Sequence, residues 1–133
     1  MAATSFSGTH PHTVQGEWDF WLIKTDAQGN KEWERTFGGS SRDNGCSVQQ
    51  TEDGGYILHG YTYSSGAGSA DFWLIKTDVQ GNKEWERTFG GSAIDWGISV
   101  QQGEDDGYIL LGCTTSYGAG GLDFSLIKYC PKE

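Results

Sequence analysis

The apolar positions of this chain recur with the period of strands, in short runs punctuated by glycine. Residues 20–25 (FWLIKT) are apolar on both alternating sets of positions, as expected of a strand covered on both faces. Residues 31–37 (KEWERTF) alternate strictly. Trp33, Arg35 and Phe37 fall on one face and Glu32, Glu34 and Thr36 on the other, so half of that strand is expected to meet water. Residues 45–51 (GCSVQQT) read as a small-residue strand that returns through the loop Glu52-Asp53-Gly54-Gly55 into residues 56–62 (YILHGYT). Asp26-Ala27-Gln28-Gly29-Asn30 supplies turn chemistry, with an Asp that bonds the following backbone and a Gly that accepts positive φ. Gly38-Gly39-Ser40 and residues 64–69 are breaks, and no helical period occurs.

These elements repeat. Residues 19–70 recur at 71–122 with 39 of 52 positions identical, and a third copy opens at Asp123 with DFSLIK. A period of this length marks a solenoid, propeller or array, and four short antiparallel strands per period make up the blade of a β-propeller. Set 52 positions downstream, residues 4–18 fall on 56–70, with Phe6 over Leu58 and Gly8 over Gly60, and read as a degenerate copy of the same strand and loop. Pro11 suits only an edge or irregular strand there. With the small-residue strand innermost (a) and the Trp33 strand outermost (d), the chain reads b-c-d, a-b-c-d, a-b-c. That predicts a partial blade at 1–38, a complete one at 39–90 and a partial one at 91–133.

The repeat GGS-x-x-D-x-G-x-SVQQ-x-x-D-x-GYIL-x-G followed by DFWLIKTD-x-QGN-x-x-W-x-RTFGG resembles the kelch-like propeller repeats strung along bacterial and archaeal surface proteins. Its hairpin LIKTDAQGNKEWERTFGG is similar to the tryptophan-bearing hairpin of quinoprotein-type blades. The resemblance implies an all-β fold of four-stranded propeller blades, about two and a half per chain. It implies no activity, since propellers host many. Natural rings use roughly four to eight blades, so this chain is expected to complete one by assembling with itself. A homodimer is preferred, because closed two-fold assemblies are commonest, and a trimer comes second. The rival reading is an excerpt of a longer propeller.

Composition narrows the partners. A net charge of −9 argues against nucleic acid and anionic membrane surfaces. No apolar run of 18 residues exists to cross a bilayer, and residues 1–13 lack the basic region and apolar core of a signal peptide. A cytoplasmic protein, or one whose leader lies outside this sequence, is expected; resembling repeats are often extracellular. Cys46, Cys113 and Cys130 are odd in number and have no CxxC spacing, which predicts buried free thiols rather than a disulfide framework.

The thirteen differences between copies cluster. With the 52–55 loop as a hairpin, residues whose numbers sum to 107 are predicted to face each other. Cys46/Tyr61 then becomes Ile98/Cys113, Asn44/Tyr63 becomes Trp96/Thr115, and Arg42/Ser65 becomes Ile94/Tyr117. Paired exchange of bulk across strands is a packing signature. The sharper alternative is a ligand-specificity patch that includes Tyr61 and Trp96.

Several candidates stand beside plainer explanations. Asp26, Gly29 and Asn30, with Asp78, Gly81 and Asn82, could offer oxygens to Ca²⁺, but the EF-hand spacing is absent and turn formation accounts for them. Glu52 and Asp53, with Glu104, Asp105 and Asp106, are close carboxylates of the kind acid–base catalysis uses, yet they lie in a hairpin loop where acids are solvated. His10 and His12 could grip a metal, while His59 becomes Leu111 in the next copy. Trp33 and Trp85, with Trp21 and Trp73, could stack on sugars, although exact recurrence favours docking between blades. Asp43 and Asp95 are the best repeated polar pair, and a buried hydrogen bond to loop amides is their expected role. No triad, P-loop or cofactor motif is present. The sequence therefore predicts a non-enzymatic, self-assembling structural or interaction module without cofactor or metal. A multivalent glycan-binding propeller, using Trp33, Trp85, Asp43, Asp95, Tyr61 and Trp96 between blades, is the alternative.

Overall fold

The structure, a computed structural model, describes residues 3–8 and 18–132. The expectations for His10, Pro11 and His12 lie outside the described residues. Among the described residues the fold is all-β. It comprises β1 (Ala3–Gly8), β2 (Asp19–Thr25), β3 (Lys31–Phe37), β4 (Asp43–Gln50), β5 (Tyr56–Thr62), β6 (Asp71–Thr77), β7 (Lys83–Phe89), β8 (Asp95–Gln102), β9 (Tyr108–Thr114) and β10 (Asp123–Tyr129). They form three antiparallel blade-like sheets with orders β1-β2-β3, β4-β5-β6-β7 and β8-β9-β10.

Alternation decides which faces meet. In the middle sheet, Tyr56, Leu58, Trp73 and Ile75 pack against Phe20 and Leu22 of the first sheet, with Trp33, Phe37 and Val48 at the margin. The opposite face carries Ile57 and Leu74, which pack against Val100, Tyr108 and Leu110 of the third. β6 is therefore buried along its whole length, as its doubly apolar sequence requires. In β3 and β7, Glu32 and Glu84 are exposed, while Glu34 and Glu86 are half-buried.

Each junction is keyed by an aromatic ring against glycines. The ring of Phe20 lies against Gly45 and Gly60, where a Cβ on Gly60 would come within 2.8 Å of it. One repeat later, Phe72 lies against Gly112 in the same manner. The glycines of the recurring D-x-G-x-SV and YIL-x-G motifs are thus sockets for the preceding sheet. A side chain there would force the sheets apart.

Two registers differ from expectation. In the β4–β5 hairpin Asn44 faces Tyr61 and Gly45 faces Gly60, but Ser47 faces His59 and Val48 faces Leu58. The predicted pairing, with Cys46 opposite Tyr61, is corrected: the hairpin is already one residue out at Val48 and Leu58, and a bulge at Cys46, recurring at Ile98 between Gly97 and Ser99, adds one more. Ser47 consequently stands opposite His59. The bulk exchange survives in the true pair, where Asn44/Tyr61 becomes Trp96/Cys113. β1 does pair with β2, but Phe6 faces Trp21, the place Gly60 holds opposite Trp73. The strand is thus offset by two residues from the expected alignment of Phe6 with Leu58, and an even offset preserves the assignment of faces.

The thiols are corrected as well. Cys46 and Cys130 are exposed and Cys113 is partly so, because Cys46 sits in the bulge and Cys130 follows the last strand.

Candidate functional site

The residues of interest collect at the junctions between sheets and in the loops bounding them. Asp43 opens β4 after the Gly38-Gly39-Ser40 break and is fully buried. Its Oδ2 accepts the Gly39 amide at 2.9 Å and the Ser64 hydroxyl at 2.6 Å, while Oδ1 accepts the Thr62 hydroxyl. Asp95 repeats this arrangement with Gly91 (2.9 Å), Ser116 (2.7 Å) and Thr114. Each carboxylate thus ties the linker between sheets to the loop leaving the next strand. Asp19 lies close enough to Asp43 that burial first, and Asp43's charge second, push its carboxyl above the usual range.

The tryptophans are occupied by packing. Trp33 meets Tyr56 edge-on at 5.6 Å, and Trp85 lies 5.7 Å from Tyr108 and 5.6 Å from Tyr129. Trp21 and Trp73 donate their indole N–H to Glu34 and Glu86, at 2.9 and 2.8 Å. Tyr61 and Trp96 do come together, 6.1 Å apart across the second junction, with Tyr63 against Tyr61 at the same distance. The six candidate residues therefore occupy three separate places: the outer strands, the linker latches and the aromatic cluster at the bulged strands.

The turn carboxylates serve the turns. Asp26 Oδ1 accepts the amides of Gln28 and Asn30, both at 2.9 Å, and Oδ2 accepts the Asn30 side-chain amide at 2.9 Å. Asp78 does the same with Gln80 and Asn82. Those bonds, led by the Asn side chain in each case, hold both carboxyls below the usual range. Gly29 and Gly81 take the left-handed conformation, with φ of 87° and 80°. Among the described residues, no group of three or more His, Cys, Asp or Glu is placed to hold a metal ion.

Sequence reasoning missed a buried cation. Lys76 is 3 % exposed and reaches Asp53 at 2.8 Å, Glu84 at 3.1 Å and the Thr77 carbonyl at 2.8 Å. Burial would depress its ammonium, but the two carboxylates outweigh that and raise it. Burial likewise opposes ionisation of Asp53, yet Lys76, Thr51 and Gly55 together hold it down to about 2. Asp53 is thus the counter-ion of a buried lysine rather than a freely solvated loop acid. The recurrence of Lys at 24, 76 and 128, with Asp at 53 and 105, was the signal available.

His59, which becomes Leu111 in the next copy, is a junction residue. It is fully buried, its Nδ1 lies 3.1 Å from the Trp73 carbonyl, and its ring meets Phe72 edge-on at 5.6 Å. Nε2 is directed at Gly97. Burial, only partly offset by carbonyls, pulls its imidazolium down to about 4.

One cavity opens between the first and second sheets, about 440 Å³ in volume, bounded by Gly38, Ser65, Trp73, Lys83 and Glu86 among others. One broad face is uncovered. On the third sheet Phe124 is 84 % and Leu126 73 % exposed, whereas their equivalents Phe72 and Leu74 are 2 % and 0 % exposed. Ile109 and Leu111 extend the same face. No protein-family model matches this chain, and no curated protein matches it.

Proposed function

We propose that the chain is a non-enzymatic β-propeller repeat module that assembles with other copies of itself into a closed ring. The observation that carries this reading is the contrast between the two equivalent faces. The face built around Phe72 and Leu74 is buried by the next sheet, and the face built around Phe124 and Leu126 is bare. Phe124, Leu126, Ile109 and Leu111 together expose on the order of 400 Å² of apolar surface, a patch typical of an interaction site.

The first sheet offers the complementary side. Trp21 and Ile23 occupy the places that Trp73 and Ile75 hold in the core of the first junction, and both are only half-buried. A second copy bringing this side against the Phe124 face extends the stack as the internal junctions do. The seam differs in one respect, because Phe6 holds the register position of the socket glycine Gly60. A two-chain ring is preferred to a three-chain one, since two-fold closure is commonest.

The polar candidates support a structural reading. Asp43, Asp95, Asp53, Asp26 and Asp78 each have partners that explain their presence. The variant Phe124→Asp tests the proposal. It is expected to leave the circular dichroism spectrum unchanged and to convert the assembly seen by sedimentation velocity into monomer. An unaltered sedimentation profile would exclude this face as the seam.

A further inference from the structure

Two equivalent loops, 52 residues apart, carry different residues at one place. At the second junction, Tyr117 reaches across the linker and donates its hydroxyl to the Gly90 carbonyl at 3.1 Å. At the first junction the equivalent residue is Ser65, which is exposed, and the equivalent carbonyl is that of Gly38. The cavity of about 440 Å³ lies here, bordered by both Gly38 and Ser65. The volume falls within the roughly 300–1,000 Å³ of small-molecule sites.

The far wall is a fixed polar array. Glu86 accepts the Lys83 ammonium on Oε1 at 2.8 Å and the Trp73 indole N–H on Oε2 at 2.8 Å. Thr36 and Ser65 add hydroxyls. An array held by its own hydrogen bonds presents donors and acceptors at set positions, which favours specific recognition. The rim is mostly hydroxyl, backbone amide and charge, with aromatic surface only from Phe37 and Trp73. A phenol brings a single hydroxyl to such a lining and leaves most of it unmatched, whereas a sugar ring carries several.

We propose that this cavity between the β1–β3 and β4–β7 sheets binds one pyranose ring, seated against Gly38 and Ser65. Its hydroxyls bond the Gly38 carbonyl, Ser65 and the Lys83–Glu86 pair. The site lies within one chain, so it stands or falls independently of self-assembly. Ser65 is the specificity-determining residue, because it lines the cavity and a larger side chain there takes up its space.

The test uses the full chain and, as probes, the methyl glycosides of glucose, galactose, mannose and N-acetylglucosamine, with p-cresol as the phenolic comparison. Binding is read by saturation-transfer NMR and calorimetry. At least one glycoside is expected to bind at one site per chain. Ser65→Tyr is expected to weaken it by about tenfold or more without lowering the melting temperature. Ser65→Leu, which fills the space without a hydroxyl, should do the same, and Lys83→Met should weaken binding while leaving the cavity open. The proposal is overturned if no glycoside binds, if p-cresol alone binds, or if glycoside affinity is unchanged in both Ser65 variants.

Discussion

His59 makes the second junction sensitive to acid, and the size of that effect follows from its surroundings. The imidazole is fully buried against Phe72 and Gly97, with Nδ1 3.1 Å from the Trp73 carbonyl. Its folded-state value of about 4 lies below the 6.5 of an unperturbed histidine. The unfolded chain therefore binds the proton first as pH falls. The stabilisation from keeping this ring neutral is fully present above pH 6.5 and is lost progressively toward pH 4. At about 1.4 kcal/mol per pKa unit, the wild type should lose about 2 kcal/mol from this group between pH 7 and pH 4.5. His59→Leu, which installs the residue of the next copy, removes the titration. Its neutral-pH stability should stay within about 1 kcal/mol of wild type, since one hydrogen bond is exchanged for apolar packing. Urea unfolding of both proteins across that pH range isolates the term, because the carboxylates titrate in both and cancel in the difference. Equal pH slopes in the two proteins would refute the reasoning.

Asp43→Ala removes three buried hydrogen bonds and should cost about 2–4 kcal/mol in urea unfolding, with Asp95→Ala similar; an unchanged midpoint would contradict the latch. Asp53→Ala should cost about 1–2 kcal/mol, and the equivalent Asp105→Ala clearly less, because Lys76 is buried while the Lys128 side chain is 56 % exposed. Gly90→Ala drives a methyl group into the Asp71 carboxylate and within 2.7 Å of Asp95 Oδ2, and should lower the melting temperature by several degrees.

The strands were legible because their periodicity is local. Residues 20–25 and 31–37 announce a doubly covered strand and a half-exposed one, and the repeat reinforces each assignment. The role of Asp43 was legible too, since a lone acid between glycines points to loop amides. The hairpin register was not, because Cys46 bulges and nothing in GCSVQQ marks which residue is extra. The slip depends on Gly45 and Gly60 meeting under Phe20, a contact with the neighbouring sheet. Lys76 was passed over for a similar reason. Its burial comes from the third sheet, and the chemically identical Lys128 remains exposed where no sheet covers it. The cavity at Ser65 is formed by residues of two sheets that are distant in sequence. In sequence the Ser65/Tyr117 difference is one among thirteen.

The solution mass of the chain tests the central proposal most directly. Sedimentation equilibrium or light scattering at micromolar concentration should give twice the 14.5 kDa chain mass, or three times if the ring takes three chains. A single species at 14.5 kDa across that range would contradict a ring closed through the Phe124 face.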